Sequence, residues 1–310
     1  MAIGSKSLRD WTQAYLHEEA PRSKSLIVTV FGDSVAPYAS SIWLSELIDL
    51  LVPFGVNERL VRTSCFRLVD EKWLRSIREG RRSRYGLTPA GFQRFEHAYR
   101  RIYTPPPQDW SGNWTLVLLA KKSRSNNVDV SELRRELQWE GFATYAPGVL
   151  VHPDSDVSTL AEILDRNKGH KNAVVLEAKD LPDLSTRTLQ QLINDDWELN
   201  SVADRYRNFL MRFTPLMNLI DSGSPLSDLD AFTVQTLLIH SFRRVTLHDP
   251  RLPPNMLPET WPGHDAYELA RKIYRCTYAG SGCLMRSRLD PGERVSPSTQ
   301  TLMQRFGGLE

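Results

Sequence analysis

The sequence predicts a multidomain α+β chain, and three observations carry that reading. Helix-period and strand-period segments succeed one another along the chain without an internal repeat. A proline-rich stretch, TPPPQDW at 104–110, separates two such series. Positive charge is concentrated in one place: residues 57–103 hold twelve Lys or Arg against five acids, while the 310-residue chain carries only +2 in total. One basic module on a mildly acidic body is the pattern to explain. The expected domains are 1–104, 105–183 and 184–310.

Residues 1–22 read as a short arm or helix ending at Pro21. SLIVTVFGDSV, after Lys24, has apolar spacing suited to a buried helix, with a strand left open by its β-branched content. SIWLSELIDLL at 41–51 repeats apolar residues at helical spacing, and PFG at 53–55 forces a break. Asn57 then caps a helix in which Leu60, Val61, Ser64, Cys65, Leu68 and Val69 gather on one arc. Arg59, Arg62, Thr63, Phe66 and Arg67 gather on the other, with Asp70 among them. Such a face suits either an ordinary surface helix or one that reaches phosphates and base edges. The neighbouring segment decides between them. WLRSIREGRRSRYGLT reads as two strands around a tip at Gly80, with Arg81, Arg82 and Arg84 beside the tip. Thr88-Pro89 starts a further helix. Three helices, a two-stranded hairpin and a helix make a winged helix-turn-helix, and the arginine cluster falls on its wing. Its expected partner is double-stranded DNA.

Beyond the linker come a strand at 114–120, a helix at 131–141, a strand or hairpin at 143–152, a helix at 157–167 and a strand at 173–178. This order suggests a small ferredoxin-like domain. Sheets of that kind pair with copies of themselves, so a homodimer is expected. The remainder reads as helices at 189–199, 202–220, 228–247 and 265–278, with a proline-rich loop at 249–263 and a loose polar tail.

The run VTVFGDSVAPYASSIWLSELIDLLVPFGVNERLVRTSCFRLVDEKWL, succeeded by GRRSRYGLTPAGFQRF, closely resembles the PaaX-type repressors of phenylacetate catabolism. The resemblance continues through WTLVLL and reaches RRVTLHDPRLPPNMLPETWPGHDAYELARKIY, so it spans roughly 24–280. It implies an N-terminal winged helix, a central domain similar to the ferredoxin-like CRISPR adaptation endonucleases, and a helical C-terminal domain. It also implies a homodimeric repressor, released from its operator by an aryl-CoA thioester such as phenylacetyl-CoA. A thioester site needs arginines for phosphates and an apolar slot for a ring. Arg243, Arg244, Arg251 and Trp261, within the C-terminal segment of the match, are the effector-binding candidates. The nuclease relatives of the central domain need an acid at the end of their first strand. Here that strand runs into Lys121 and Lys122, which argues against metal-dependent cleavage and for dimerisation.

Other signals for catalysis are weak, so no catalytic residue, metal or cofactor is expected. GSGC at 280–283 lacks the flanking residues of a nucleophile elbow and reads as a loop. His240, His248 and His264 have no metal-ligand spacing, and Asp195-Asp196-Trp197-Glu198 reads as a solvated helix face. Three cysteines without CxxC point to reduced thiols, with Cys65 in the core. No apolar run reaches membrane-spanning length and the N-terminus is unlike a signal peptide, so the chain is expected in the cytoplasm. Two rivals stay open: an activator using the same DNA contacts, and a DNA-binding protein whose body acts as a nuclease or processes a CoA ester.

Overall fold

The computed structural model describes residues 7–107, 109–120, 130–153, 155–181, 183–184, 186–223, 226–290 and 302–309. The chain divides into two compact units, and neither is one continuous segment. The first takes in Met1–Pro105, Arg207–Arg244 and Asp265–Glu310; the second takes in Pro106–Tyr206 and Val245–His264. The expected domain over 184–310 therefore contributes to both, because its apolar side chains are buried in two separate cores.

The first unit opens with α1 (Leu8–Glu18), capped by Ser7, whose hydroxyl accepts from the Asp10 amide. Helix α2 (Ser23–Val30) runs into one wide turn, Phe31–Val35, in which the Ala36 amide reaches back to Phe31 O. Ser41–Trp43 is a short strand, β1, and the helix expected over 41–51 is confined to α3 (Leu44–Leu51). Isoleucine and tryptophan at 42 and 43 pair with the later hairpin instead of entering the helix. Helix α4 (Glu58–Asp70) starts where expected, with the Asn57 side chain accepting from the Leu60 amide. Strands β2 (Leu74–Glu79) and β3 (Arg82–Leu87) come next, giving an antiparallel sheet in the order β1-β3-β2. Thr88 caps α5 (Pro89–Tyr103), accepting from the Gly91 amide. Gly32 is required here: a Cβ on it would lie 2.4 Å from the Phe95 ring of α5.

The second unit holds β4 (Trp114–Leu119), α6 (Val130–Trp139), β5 (Ala143–Ala146), β6 (Val149–His152), α7 (Val157–Arg166) and β7 (Ala173–Ala178). Its sheet has the order β5-β6-β4-β7, antiparallel throughout, which is the ferredoxin-like order that the spacing predicted. Leu133, Leu137, Leu160, Ile163 and Leu164 cover one sheet face. The other face packs under Ile193 of α8 (Leu189–Ile193), Trp197, and Leu252 and Met256 from the proline-rich loop. That loop is part of this unit because its apolar residues close this second core layer. Trp197 is buried there too, so the acidic run around it is not a wholly solvated face.

The helix expected over 189–199 is cut short at Ile193, and a left-handed Glu198 separates it from α9 (Leu199–Asp221). The residues of α9 from Arg207 onward belong to the first unit. Helix α10 (Asp228–Thr246) and helix α11 (Gly263–Arg288) supply the rest of the C-terminal part. Helix α11 runs on from its expected end at 278 to Arg288, so GSGC lies inside a helix and not in a loop. In the first unit Trp11 and Tyr15 pack on Phe213, Phe209 stacks on Phe213 and meets Phe242, and Phe54 meets Phe232.

At the centre of this unit lies an ion pair that no local sequence signal locates. Asp33, in the wide turn after α2, is 2% exposed, and so is Arg305 from the expected loose tail. Arg305 Nη1 donates to Asp33 Oδ1 at 2.9 Å and to its main-chain oxygen at 3.0 Å. The phenols of Tyr103 and Tyr274 donate to the same carboxylate oxygen at 2.6 and 3.0 Å, and Gln235 Nε2 donates to the other at 2.7 Å. Burial pushes both phenols well above their ordinary value, with Arg305 opposing the shift, so they stay protonated as donors. Phe306 packs beside them on Tyr103, Tyr267 and Tyr274.

Two outcomes are expected. Arg305→Met leaves the Asp33 carboxylate buried without its counter-charge and costs about 3–5 kcal/mol of stability, whereas Asp33→Asn with Arg305→Met costs less than the two single changes together. Urea denaturation of the four proteins measures this. His240 is buried against the Thr29 hydroxyl at 3.1 Å. Burial, then Arg243 and Arg244, depress its pKa from 6.5 to about 3. Between those values the unfolded chain binds a proton that the native chain does not. Stability therefore falls by up to about 1.4 kcal/mol per pH unit as pH drops below 6.5. His240→Gln removes that part of the slope.

Candidate nucleic-acid interface

Helix α4 is two-faced. Val61, Ser64, Cys65 and Leu68 are buried, and the Ser64 hydroxyl lies 2.8 Å from that of Ser23 on α2. Leu60 and Val69, expected on the same inner arc, sit at its two edges; Leu60 is 46% exposed and Val69 half-buried. On the opposite side Arg59, Arg62, Thr63, Phe66 and Arg67 are all exposed. Arg62 pairs with Glu58 one turn earlier at 2.6 Å, and the Thr63 hydroxyl donates to Arg59 O at 2.9 Å. Phe66 is 72% exposed, a large apolar ring on an otherwise polar face. Guanidinium groups, a hydroxyl and an apolar ring on one open helix face can bond phosphates and base edges and contact a thymine methyl. Cys65, on the inner side, is pushed up to about 12 by burial and is chemically quiet.

The hairpin turns at Gly80-Arg81. Gly80 has φ +60°, and Glu79 faces Arg82 across the turn, so the first loop position needs the left-handed freedom of glycine. Arg75, Arg78, Arg81 and Arg82 are exposed along the strands and tip. Arg84 is not, which corrects its expected role as an outer contact: it is 9% exposed. Its guanidinium lies 3.2 Å from Glu79 and 3.4 Å from Asp290, and 4.3 Å from the centre of the Trp43 ring. Two carboxylates and an indole engage this cation, so it serves the fold. Arg82, two residues earlier on the same sheet face, lies 4.0 Å from the same ring. Helical spacing over 41–51 hides Trp43 as a partner for these arginines. The β-propensity of Ile42-Trp43 is the signal that could have found it.

The four effector candidates do not fall in one unit. Arg243 and Arg244 belong to the first, Arg251 and Trp261 to the second. Arg243 Nη2 bonds Ser25 Oγ at 2.7 Å and Ser25 O at 3.2 Å, and burial lowers its pKa to about 10. It braces α10 against α2. Arg244 is exposed and pairs with Glu19. Arg251 is half-buried with φ +56°, and the half-buried Trp261 meets Tyr206 edge-on at 5.8 Å.

The second unit also holds a cavity of about 240 Å³ bordered by Trp139, Phe142, Trp197, Asp196, His248 and Asp249. Asp249 accepts from Tyr206 OH at 2.6 Å, and Asp196 accepts from the Thr144 amide at 2.8 Å. Among the described residues no group of three or more His, Cys, Asp or Glu could hold a metal ion, and no helix is long and apolar enough to cross a membrane. Lys121, Lys122 and the side chain of Asp195 lie outside the described residues.

Three family models match the chain: PaaX-like protein over residues 22–91, PaaX protein central Cas2-like domain over 107–192, and PaaX-like protein C-terminal domain over 197–286. The transcriptional repressor PaaX of Escherichia coli (strain K12) is 34% identical over 287 residues, which cover 92% of this chain and 90% of that protein. A solved structure, the uncharacterized protein Rv0674 from Mycobacterium tuberculosis, aligns with a TM-score of 0.48 and 20% identity over 83% of this chain and 98% of that one. With its three segments matched in order and a curated relative alike over nearly its whole length, the chain belongs to the PaaX family.

Proposed function

We propose that this chain is a DNA-binding transcriptional repressor, not an enzyme, in which residues 23–103 work as a winged helix-turn-helix. The observation that carries the reading is the exposed Arg59, Arg62, Thr63, Phe66 and Arg67 face of α4, opposite a face buried on α2 and beside an arginine-rich hairpin. The order α2, β1, α3, α4, β2, β3 and the sheet order β1-β3-β2 support it, as does the repressor named among its relatives. In this reading α4 enters the major groove, while Arg81 and Arg82 on the wing hold phosphates or enter the adjacent minor groove.

The repressor acts as a homodimer through the Cas2-like domain. Supporting this, edge strand β7 carries Val174, Val175 and Leu176 at 54, 42 and 44% exposure, an apolar run that monomers rarely leave uncovered. Its targets are the genes of aromatic-acid (phenylacetate) breakdown, and an aryl-CoA thioester such as phenylacetyl-CoA releases it. This part rests on the family resemblance. Arg244, Arg251 and Trp261 remain its candidate contacts, with Arg243 as a brace for the first of them. The thioester acts by binding the DNA-incompetent state of the dimer more tightly than the competent one.

Fluorescence anisotropy on DNA upstream of the chain's own gene tests the whole reading. Tight binding that phenylacetyl-CoA abolishes, and free phenylacetate does not, is the expected outcome; absence of binding at moderate salt sinks it. Arg59→Ala is expected to cost about 1–3 kcal/mol of preference for the operator over unrelated DNA. Arg81→Ala should instead weaken every sequence alike and lower the salt slope by about one. Val174→Lys with Leu176→Lys should convert a dimer to a monomer in light scattering while leaving the helical signal unchanged.

A further inference from the structure

Trp43 sits where three parts of the first unit converge. Its ring carries Arg82 at 4.0 Å and Arg84 at 4.3 Å, both from β3, and its Nε1–H donates to Asp290 Oδ2 at 3.2 Å. Arg84 reaches the same oxygen at 3.4 Å. Asp290 lies two residues past the end of α11, and that end is itself fixed: Arg288 Nη1 meets Glu46 at 3.1 Å and Asp49 at 3.7 Å on α3. The indole is thus held by the carboxylate and by its pairing opposite Arg84, and it offers its surface to the exposed Arg82.

We propose that Trp43 and Asp290 are positioning residues for Arg82, so that the end of α11 sets how firmly the hairpin grips DNA. The inference rests on the proposed DNA binding. An arginine on a hairpin is ordinarily free to swing, and ordering it weakens each phosphate contact it makes. Contact with the face of an indole orders it beforehand without using up its hydrogen-bond donors. The indole in turn needs its own orientation fixed, which the bond to Asp290 does. Arg84 balances the Asp290 charge, so that a carboxylate near the phosphates is tolerated. A consequence is a route from the C-terminal region to the wing: anything that displaces the end of α11 releases Arg82.

The sign of the effect separates positioning from simple charge. By charge alone, removing Asp290 lowers repulsion and tightens DNA binding. By positioning, it loosens Arg82 and weakens binding. The experiment titrates a fluorescein-labelled duplex of mixed sequence at several salt concentrations with the full chain, Asp290→Ala, Arg82→Ala and the double variant. Asp290→Ala is expected to bind about 3- to 10-fold more weakly, with a salt slope lower by about one. In the Arg82→Ala background it should no longer weaken binding. Trp43→Phe, which keeps a ring but lacks the N–H, should fall between the parent and Asp290→Ala, and it serves as the readout if Asp290→Ala does not fold. Unchanged or tighter binding by Asp290→Ala overturns the proposal, as do penalties that simply add, or Trp43→Phe binding like the parent. In those cases the parent still binds and the DNA-binding reading stands. A parent chain that binds no duplex overturns both.

Discussion

The contact between Asp33 and Arg305 is the constraint on which the first unit depends. Burying two unit charges is strongly unfavourable, and they persist only where opposite charge and hydrogen bonds replace the lost water. Here the replacements come from distant parts of the chain: Tyr103 at the end of α5, Gln235 on α10, Tyr274 on α11 and Arg305 beyond it. No partial assembly satisfies the carboxylate. The helices from the two ends of the sequence are therefore obliged to fold as one body. The wide turn at Phe31–Val35 places Asp33 at this centre, and Gly32 within it leaves room for the Phe95 ring of α5. Hydrophobic packing of Phe306 on Tyr103, Tyr267 and Tyr274 adds to the burial around this centre.

Environment likewise divides the arginines of the basic segment, which are not one patch with one task. Arg59, Arg62 and Arg67 face outward because α4 turns Val61, Cys65 and Leu68 inward. Arg82 is outward but stacked, and Arg84 is inward and paired. A hairpin that carries both kinds presents charge from a stiffened base. An arginine grip that is already ordered loses less on contact with a phosphate than a freely moving one. Coupling the hairpin through Asp290 to α11 makes that stiffness a property of the whole unit.

Much of this is legible in the sequence, for identifiable reasons. The caps at Asn57 and Thr88, the glycine at the hairpin tip and the two faces of α4 are local signals, read over a few residues. The ferredoxin-like order comes mostly from the succession of periods, with 143–152 left open between one strand and the hairpin that β5 and β6 make. The illegible parts are set by long-range pairing. Arg84 looks like its neighbours in sequence, and the approach of Trp43 from β1 and of Asp290 from 206 residues away, beside Glu79, gives it a different task. Arg305 and Phe306 lie in a polar tail whose composition suggests looseness, yet both are buried. The loop around Leu252 and Met256 joins a core that its own sequence does not describe. Family resemblance supplies the expected effector, but the four residues chosen for it are divided between two units, and Arg243 is engaged by Ser25.

The most direct test of the central claim asks which surface meets DNA. Thr63→Cys, in a chain with the exposed Cys276 and Cys283 changed to serine, places one reactive thiol on the outer face of α4; the buried Cys65 stays unreactive. An iron chelate tethered there cuts DNA close to the helix. Cleavage centred in the major groove of two symmetry-related half-sites, in DNA upstream of the gene, is the predicted result. Bound protein that cuts nowhere, or only in the minor groove, would contradict it.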